Sequence, residues 1–500
     1  VNRRIRTHNL LAERTIGYYN KETGRAVGLE GAYNDILKGR NGIRVEQKVA
    51  NGVWRPVFHN QQEPEDGKDI VTTIDMRIQD VAEAALMRCL RDNDADHGCA
   101  ILMRVSTGEI RAIANLKRGK DSIYREVENF AVNESVEPGS TFKLASLIAV
   151  LEDGKIDTNF KVSSGKMKFF DRTMKDSKEE GYGEISLKRA FEVSSNVGIA
   201  CATREAFAQN EKKFTDYLYN MRLNQPLGLE IAGERAPVIK NPKDNKKEWW
   251  GTSLPWMSMG YEVQLTPLQQ LTFYNAVANN GTMVKPMFVK EIRSGGQLVQ
   301  SFEPIVLQSR ICSESTIQKV KGCLEGVVQN GTAKSLSKSP YKIAGKTGTA
   351  QTNYSQRGID RMTYRASFIG YFPADDPKYT CLVIISNPTK NRKYGGEVAA
   401  PVFKEIADKV YATRLNLQLE LPDVDDFQPI NLTTAGELDP SSYSSKTIPN
   451  VKGLNARDAV YLLESLGCKV MLNGRGIVRE QSITAGSTII QGQQIWLRLS

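Results

Sequence analysis

The sequence predicts an α+β chain of several domains, in which a mixed sheet-and-helix domain is followed by a small α/β unit. Three observations predict it. Five hundred residues exceed what one hydrophobic core organises, so two to four domains are expected. A strand, a helix and a hairpin open the chain's central region, helical windows fill its middle, and two strongly apolar strands arrive only late. Near Leu417 the character shifts to Pro, Asp, Ser and Thr, which reads as a linker over 416–446 with a separate unit at 447–500.

Residues 1–68 are polar, with glycines in Gly28-Leu-Glu-Gly31 and Gly39-Arg-Asn-Gly42, and read as short elements joined by turns. Asp69–Ile74 is rich in β-branched residues and predicts a strand. Ile78, Val81, Ala85 and Leu86 give a helical period over Asp75–Leu90. Cys99–Val105 and Glu109–Ala114, joined by Ser106-Thr-Gly108, predict a hairpin. Leu187–Ala200 and Pro267–Ala278 read as helices, Ser367–Tyr371 and Tyr379–Ile385 as buried strands, and Val402–Leu415 as a helix. In the last unit Pro449-Asn-Val-Lys-Gly453 is a turn. Asn455 caps a helix with apolar Ala459, Val460, Leu463 and Leu466, and Gly467 stops it. Lys469–Leu472, Thr488–Ile490 and Gln494–Leu499 then predict strands.

Composition narrows the function classes. With 40% hydrophobic and 25% charged residues the chain is that of an ordinary folded protein. The net charge of +10 is spread along the chain rather than gathered in a stripe with interleaved aromatics, so no nucleic-acid partner is expected. Seven scattered cysteines without a C-x-x-C pair predict free thiols, not a disulfide scaffold. The three histidines, His8, His59 and His97, form no zinc-ligand spacing, so neither a metal nor another cofactor is expected. No apolar run is long enough to span a bilayer.

A serine nucleophile needs a neighbouring base, and no histidine lies beyond His97. A lysine serves if burial or nearby positive charge keeps it neutral. Ser140-Thr-Phe-Lys143 supplies the pair: Pro138-Gly139 breaks the chain, Ser140 opens a helix through Leu144, Ile148 and Leu151, and residues three apart share a helical face. Free N–H groups at the helix start suit a developing oxyanion. Ser163–Lys166 and Ser335–Lys338 repeat the spacing without a comparable apolar helix. Ser194-Ser-Asn196 is the single S-x-N of the chain and offers a hydroxyl and an amide for proton relay and for holding a carbonyl, or else a local cap. Lys346-Thr-Gly-Thr349 has alternating hydroxyls, which suggest an extended strand presenting one face to a ligand. There Gly348 would allow a substrate backbone to lie close and Lys346, Thr347 and Thr349 could grip a carboxylate, or else the run is an exposed edge strand or a phosphate-like loop.

S-x-x-K, S-x-N and K-T-G in this order resemble the penicillin-binding proteins and class A β-lactamases. Glu137-Pro-Gly-Ser-Thr-Phe-Lys143, Gly260-Tyr-Glu-Val-Gln-Leu-Thr-Pro-Leu-Gln-Gln270 and Tyr394-Gly-Gly396 with Ala399-Ala-Pro-Val-Phe403 are similar to segments of the monofunctional, class B transpeptidases over about 69–415. Residues 1–68 resemble the end of their N-terminal pedestal, and 447–500 resemble a PASTA domain. The resemblance implies an antiparallel sheet flanked by helices, with an all-helical subregion. It also implies a single N-terminal membrane anchor upstream of this chain and a location on the outer face of the cytoplasmic membrane.

The implied substrate is a peptidoglycan stem peptide ending in D-Ala–D-Ala. Ser140 attacks the penultimate carbonyl with Lys143 as base, and Ser194 and Asn196 relay protons and orient the acyl chain. The N–H groups of Ser140 and Thr349 form the oxyanion hole, and Lys346, Thr347, Gly348 and Thr349 bind the donor. β-Lactams acylate the same serine, and a membrane glycosyltransferase and other division proteins are the implied partners. The competing readings are a D,D-carboxypeptidase or β-lactamase, and a non-catalytic wall-binding scaffold. A bifunctional class A enzyme is excluded, since 68 residues cannot hold a glycosyltransferase domain.

Overall fold

A computed structural model describes residues 11–48, 52, 54–56, 62–352, 363–390, 392–415, 447–474 and 476–499. The chain divides into two compact units, within residues 1–418 and 419–500. The predicted linker over 416–446 lies outside the described residues, as do His8 and His59.

In the first unit the described N-terminal residues form short helices such as Glu13–Ile16 and Gly28–Ala32 and short ladders such as Tyr18–Tyr19 with Ala26–Val27. Strand β1 (Asp69–Thr72) then leads into α1 (Met76–Asp92), whose cap Asp75 accepts the N–H of Arg77. The hairpin β2 (His97–Arg104) and β3 (Ile110–Arg118) follows, with the short β4 (Tyr124–Arg125) beside it. The helical middle contains α2 (Lys143–Asp153), α3 (Leu187–Glu192), α4 (Asn196–Phe207), α5 (Pro267–Ala278) and α6 (Glu314–Gln329). Strands β5 (Ala344–Thr352), β6 (Thr363–Phe372) and β7 (Tyr379–Ser386) and helix α7 (Gly395–Val410) complete it.

The sheet runs β5-β6-β7-β2-β3-β4, antiparallel at every step. The two late strands β6 and β7 therefore sit inside the sheet, and every residue of β7 is buried. Helices cover both of its faces. Phe403 of α7 packs edge-on against Phe368 and Phe372, with ring centroids 4.7 and 5.7 Å apart. Thr380, on the alternate side of β7, donates to Asn275 Oδ1 of α5 at 2.7 Å. Burial on both sides explains why these strands read as unbroken apolar runs. Strand β5, carrying the K-T-G run, is left at the sheet edge.

Two helix predictions need correction. Leu187–Ala200 is not one helix: the chain breaks after Glu192 and restarts at Asn196, with Ser194 in left-handed backbone (φ 59°). The second helix predicted at Val402–Leu415 opens earlier, at Gly395, and carries Pro401 in its interior, where a proline ordinarily signals a break. Among the described residues no helix is long and apolar enough to cross a membrane.

In the second unit α8 (Ala456–Ser465) is capped by Asn455, whose Oδ1 accepts the Asp458 N–H at 2.9 Å. It packs on a sheet of β8 (Lys469–Asn473), β9 (Val478–Gln481) and β10 (Gln494–Leu499) in the order β8-β10-β9, around Val451, Leu463, Ile495 and Leu497. Thr488–Ile490 is not a strand; its one pairing is an isolated bridge from Thr488 to Thr447. The third strand is β9, whose Arg479-Glu480-Gln481 lacks the apolar alternation that marks strands in sequence.

Candidate active site

The S-x-x-K segment is a 3₁₀ turn, Gly139–Phe142, running directly into α2. Helix α2 is buried from Lys143 through Leu151, which is what its apolar sequence requires. Gly139 has φ 58°, and a Cβ there would lie 2.9 Å from the Cβ of Ala350, so the turn carrying Ser140 is pressed against β5. From beneath, the Gly139 N–H donates to Gly260 O at 3.1 Å, and Tyr274 donates its hydroxyl to Thr141 O at 2.7 Å. Gly260 has φ 88°, and a Cβ there would fall 2.2 Å from Gly139 O. The glycine that opens the G-Y-x-x-x-x-T-P segment thus serves as the floor of the nucleophile turn.

The S-x-N segment is the break between α3 and α4. Ser195 caps α4 through its Oγ, which accepts the Gly198 N–H at 2.9 Å. The break turns Ser194 O and Asn196 Oδ1 towards Lys143, whose Nζ donates to each at 2.7 Å. Lys143 Nζ is also 3.3 Å from Ser194 Oγ, and Lys346 Nζ donates to that same hydroxyl at 2.8 Å from the other side. Both lysines are fully buried. Burial lowers Lys143 from its ordinary 10.5 to about 7, opposed by the Asp176 carboxylate. Lys346 is driven well below its usual value by burial and then by the Lys143 charge. A neutral amine has two N–H donors and one lone pair, so the acceptors Ser194 O and Asn196 Oδ1 use both hydrogens of Lys143 and leave its lone pair for a hydroxyl proton.

A cleft of about 520 Å³ is lined by Ser140, Ser194, Asn196, Thr347, Thr349 and Tyr394 among others. Of the residues singled out in the sequence, these reach the cleft directly. Lys143 lies behind its wall, and Lys346 and Gly348 do not line it. The period of two along β5 explains this, since the threonines at 347 and 349 face one way and 346 and 348 the other. Lys346, singled out in the sequence to grip a carboxylate, donates its amine N–H groups to Ser194 Oγ at 2.8 Å and to Thr347 O at 3.0 Å. Gly348 is needed for packing, because a Cβ there would meet Ser367 Oγ at 2.1 Å and Thr141 Cγ2 at 3.0 Å.

The structure adds residues that sequence reading missed. Asp176 lies against the S-x-N turn and lines the cleft. The Thr332 hydroxyl bonds that of Thr347, and the Gly395 N–H donates to Thr349 Oγ1 at 3.3 Å. Asp176 stands in Lys175-Asp176-Ser177, a polar run that reads as surface, and only the tertiary fold brings it to the site.

A serine at the start of a buried helix, with a desolvated lysine behind it and a hydroxyl-bearing edge strand alongside, is the arrangement of a serine acyltransferase. The model of the penicillin binding protein transpeptidase domain matches residues 98–408, and that of the PASTA domain matches 446–500. The chain belongs to the penicillin-binding protein transpeptidase family, and is of its monofunctional, class B kind. It is similar to stage V sporulation protein D of Bacillus subtilis, 27% identical over 502 residues, covering 97% of this chain and 74% of that protein. It is also similar to the probable peptidoglycan D,D-transpeptidase PenA of Neisseria meningitidis, 28% identical over 406 residues, covering 80% of this chain and 66% of that one. Among solved structures, penicillin binding protein 3 of Mycobacterium tuberculosis complexed with aztreonam superposes with a TM-score of 0.67 at 27% identity, covering 81% of this chain and 89% of that one.

Proposed function

We propose that this chain is a peptidoglycan D,D-transpeptidase that cross-links stem peptides through an acyl-enzyme on Ser140. Ser140 Oγ attacks the carbonyl of the penultimate D-Ala of the donor as its proton passes to the lone pair of Lys143. The C–N bond then breaks, and the departing D-Ala amine takes that proton back from Lys143 by way of the Ser194 hydroxyl. An amine from a neighbouring stem next loses a proton to Lys143 and attacks the ester carbonyl; the C–O bond to Ser140 breaks and Lys143 returns the proton to Ser140 Oγ. The backbone N–H groups of Ser140 and Thr349 hold the oxyanion. The Thr347 and Thr349 hydroxyls hold the terminal carboxylate, with Lys346 behind them orienting the Ser194 hydroxyl by its hydrogen bond, and Asn196 also orients the acyl chain. A β-lactam acylates the same serine. Residues 1–68 serve as the end of a pedestal, 69–415 as the catalytic domain, 416–446 as a linker and 447–500 as the PASTA domain. The enzyme works outside the cytoplasmic membrane on a single N-terminal anchor, in septal wall synthesis, with a membrane glycosyltransferase supplying glycan strands.

The observation that carries this reading is Lys143, fully buried, with both hydrogens of its amine taken by Ser194 O and Asn196 Oδ1 beside the cleft that Ser140 lines. Intact-protein mass spectrometry after exposure to benzylpenicillin tests it. One adduct is expected, absent from Ser140→Ala, and a synthetic stem peptide with an amine acceptor should give a cross-linked product. Labelling that persists in Ser140→Ala removes the assignment, and release of D-Ala without cross-linking reassigns the enzyme as a carboxypeptidase.

A further inference from the structure

We propose that Asp176 is a positioning residue for acyl transfer: its carboxylate fixes the Ser194–Asn196 turn so that the turn presents its two acceptors to Lys143. The proposal rests on the reading of Lys143 as the base. Asp176 is buried in the turn that follows the strand Arg172–Lys175. Both of its oxygens are in use. Oδ1 accepts the backbone N–H groups of Asn196 at 2.6 Å and Val197 at 3.0 Å; Oδ2 accepts the Ser195 hydroxyl at 2.7 Å and the Gly165 N–H at 2.8 Å. Two of those donors belong to the first turn of α4, where a carboxylate is favoured by the unpaired N–H groups and the helix dipole.

The turn needs such an anchor. Ser194 holds left-handed backbone, which a residue with a Cβ adopts only when its surroundings enforce it. The neighbouring residue completes the grip, since Lys175 O accepts Asn196 Nδ2 at 2.8 Å. That bond fixes which way the amide points and leaves Oδ1 for Lys143. Asp176 thus places the backbone of Asn196, and the carbonyl before it orients the side chain.

Asp176 also sets the charge balance. Lys346 lies across Ser194 from the Lys143 amine, and the charged and titratable side chains lining the cleft beside it are Asp176, Lys178, Tyr182, Tyr261, Lys334, Tyr394 and Glu397, of which Asp176 acts on Lys143. Lys175 is drawn off by Glu179, 3.1 Å away. Burial lowers Lys143 and Asp176 raises it, so removing the carboxylate charge moves the base further down.

The test is the second-order rate of acylation by benzylpenicillin from about pH 5 to pH 9, on the full chain. The wild-type rate should rise through about 7, where Lys143 loses its proton. In Asp176→Asn the plateau should fall roughly tenfold or more, and the acid limb should move down by about half a pH unit or more. Ser195→Ala breaks one of the four hydrogen bonds but keeps the charge, and should leave the limb in place. An Asp176→Asn protein that melts like the wild type and keeps the wild-type plateau overturns the proposal. Should Asp176→Asn fail to fold, Asp176→Glu decides instead: charge retained but displaced should cost roughly tenfold in plateau with the limb fixed, and a wild-type plateau overturns the proposal. A wild-type rate that is flat across the range removes the Lys143 reading itself, and is seen before any variant is made.

Discussion

Gly260→Ala isolates the geometry of the nucleophile turn from its chemistry. Gly260 touches neither the cleft nor either lysine, yet a Cβ there would lie 2.2 Å from Gly139 O and 2.7 Å from the Cβ of Phe142. Carbon and oxygen need about 3.2 Å, so the turn carrying Ser140 has to move by about 1 Å. A displacement of that size at a reacting atom costs on the order of a hundredfold in rate. Left-handed backbone at an alanine adds roughly 1–2 kcal/mol of instability. Gly154, at the far end of the same helix, supplies the control: its φ is 79°, and a Cβ there meets nothing within 4 Å. Gly154→Ala carries the same backbone penalty without the clash. The assay is acylation by a fluorescent penicillin, with a thermal melt of each variant. Gly260→Ala should acylate about a hundred times more slowly than the wild type and Gly154→Ala at close to its rate. Equal rates in the two variants would refute the argument that Gly260 sets the position of Ser140.

Lys143→Met should reduce acylation by roughly a thousandfold, the usual worth of a general base. It should also flatten the pH dependence of stability: Lys143 has a folded value of about 7 against 10.5, so the cost of burying its charge is full below the lower value and fades as pH rises towards the higher, a rise in melting temperature that the methionine variant should lack. Glu126 works in the opposite sense. It is buried beside Asn115 and the Arg14 N–H, and burial raises it from 4.5 to about 8, with Glu83 adding to the effect. Its contribution to stability is complete below 4.5 and is lost as pH rises through about 8. Melts of the wild type should therefore fall over that window and those of Glu126→Gln should fall less; parallel curves would show that Glu126 does not titrate there.

What could be read from the sequence was whatever repeats with a period or sits within one turn. Pro267–Ala278 was legible to the residue, because Thr266 and Gln269 form a capping box ahead of an apolar run. Strands β6 and β7 were legible in their apolar stretches, which burial on both faces requires, while the polar, half-buried start of β6 at Thr363–Arg365 was not. The alternating hydroxyls of Thr347 and Thr349 predicted a face turned to a ligand, and they line the cleft. The same period of two places Lys346 and Gly348 on the opposite face, which a shared motif name obscures. The break at Ser194 was not legible, since no glycine or proline marks it. A tertiary anchor, Asp176, holds it open, and Asp176 stands 18 residues before Ser194 in a stretch with no pattern of its own. Local rules fail where the conformation is imposed from elsewhere.

The proton inventory of the two buried lysines and the Ser194 hydroxyl follows from counting. The Ser194 hydroxyl has one hydrogen and two lone pairs. One lone pair takes the Lys346 N–H at 2.8 Å, and the hydrogen then has the Lys143 nitrogen, 3.3 Å away, in front of it. An ammonium at Lys143 cannot receive that hydrogen; its third N–H would instead turn to the second lone pair of Ser194 Oγ, facing the Lys346 amine across that one hydroxyl. With Lys143 neutral its two N–H groups keep Ser194 O and Asn196 Oδ1, and its lone pair faces the Ser194 hydroxyl hydrogen. Burial alone lowers a lysine without deciding which proton leaves. Lys143, lowered to about 7 and bordered by the cleft-lining Ser194, is the member of the pair suited to act as base, and Ser194 is the bridge over which its proton can pass between them.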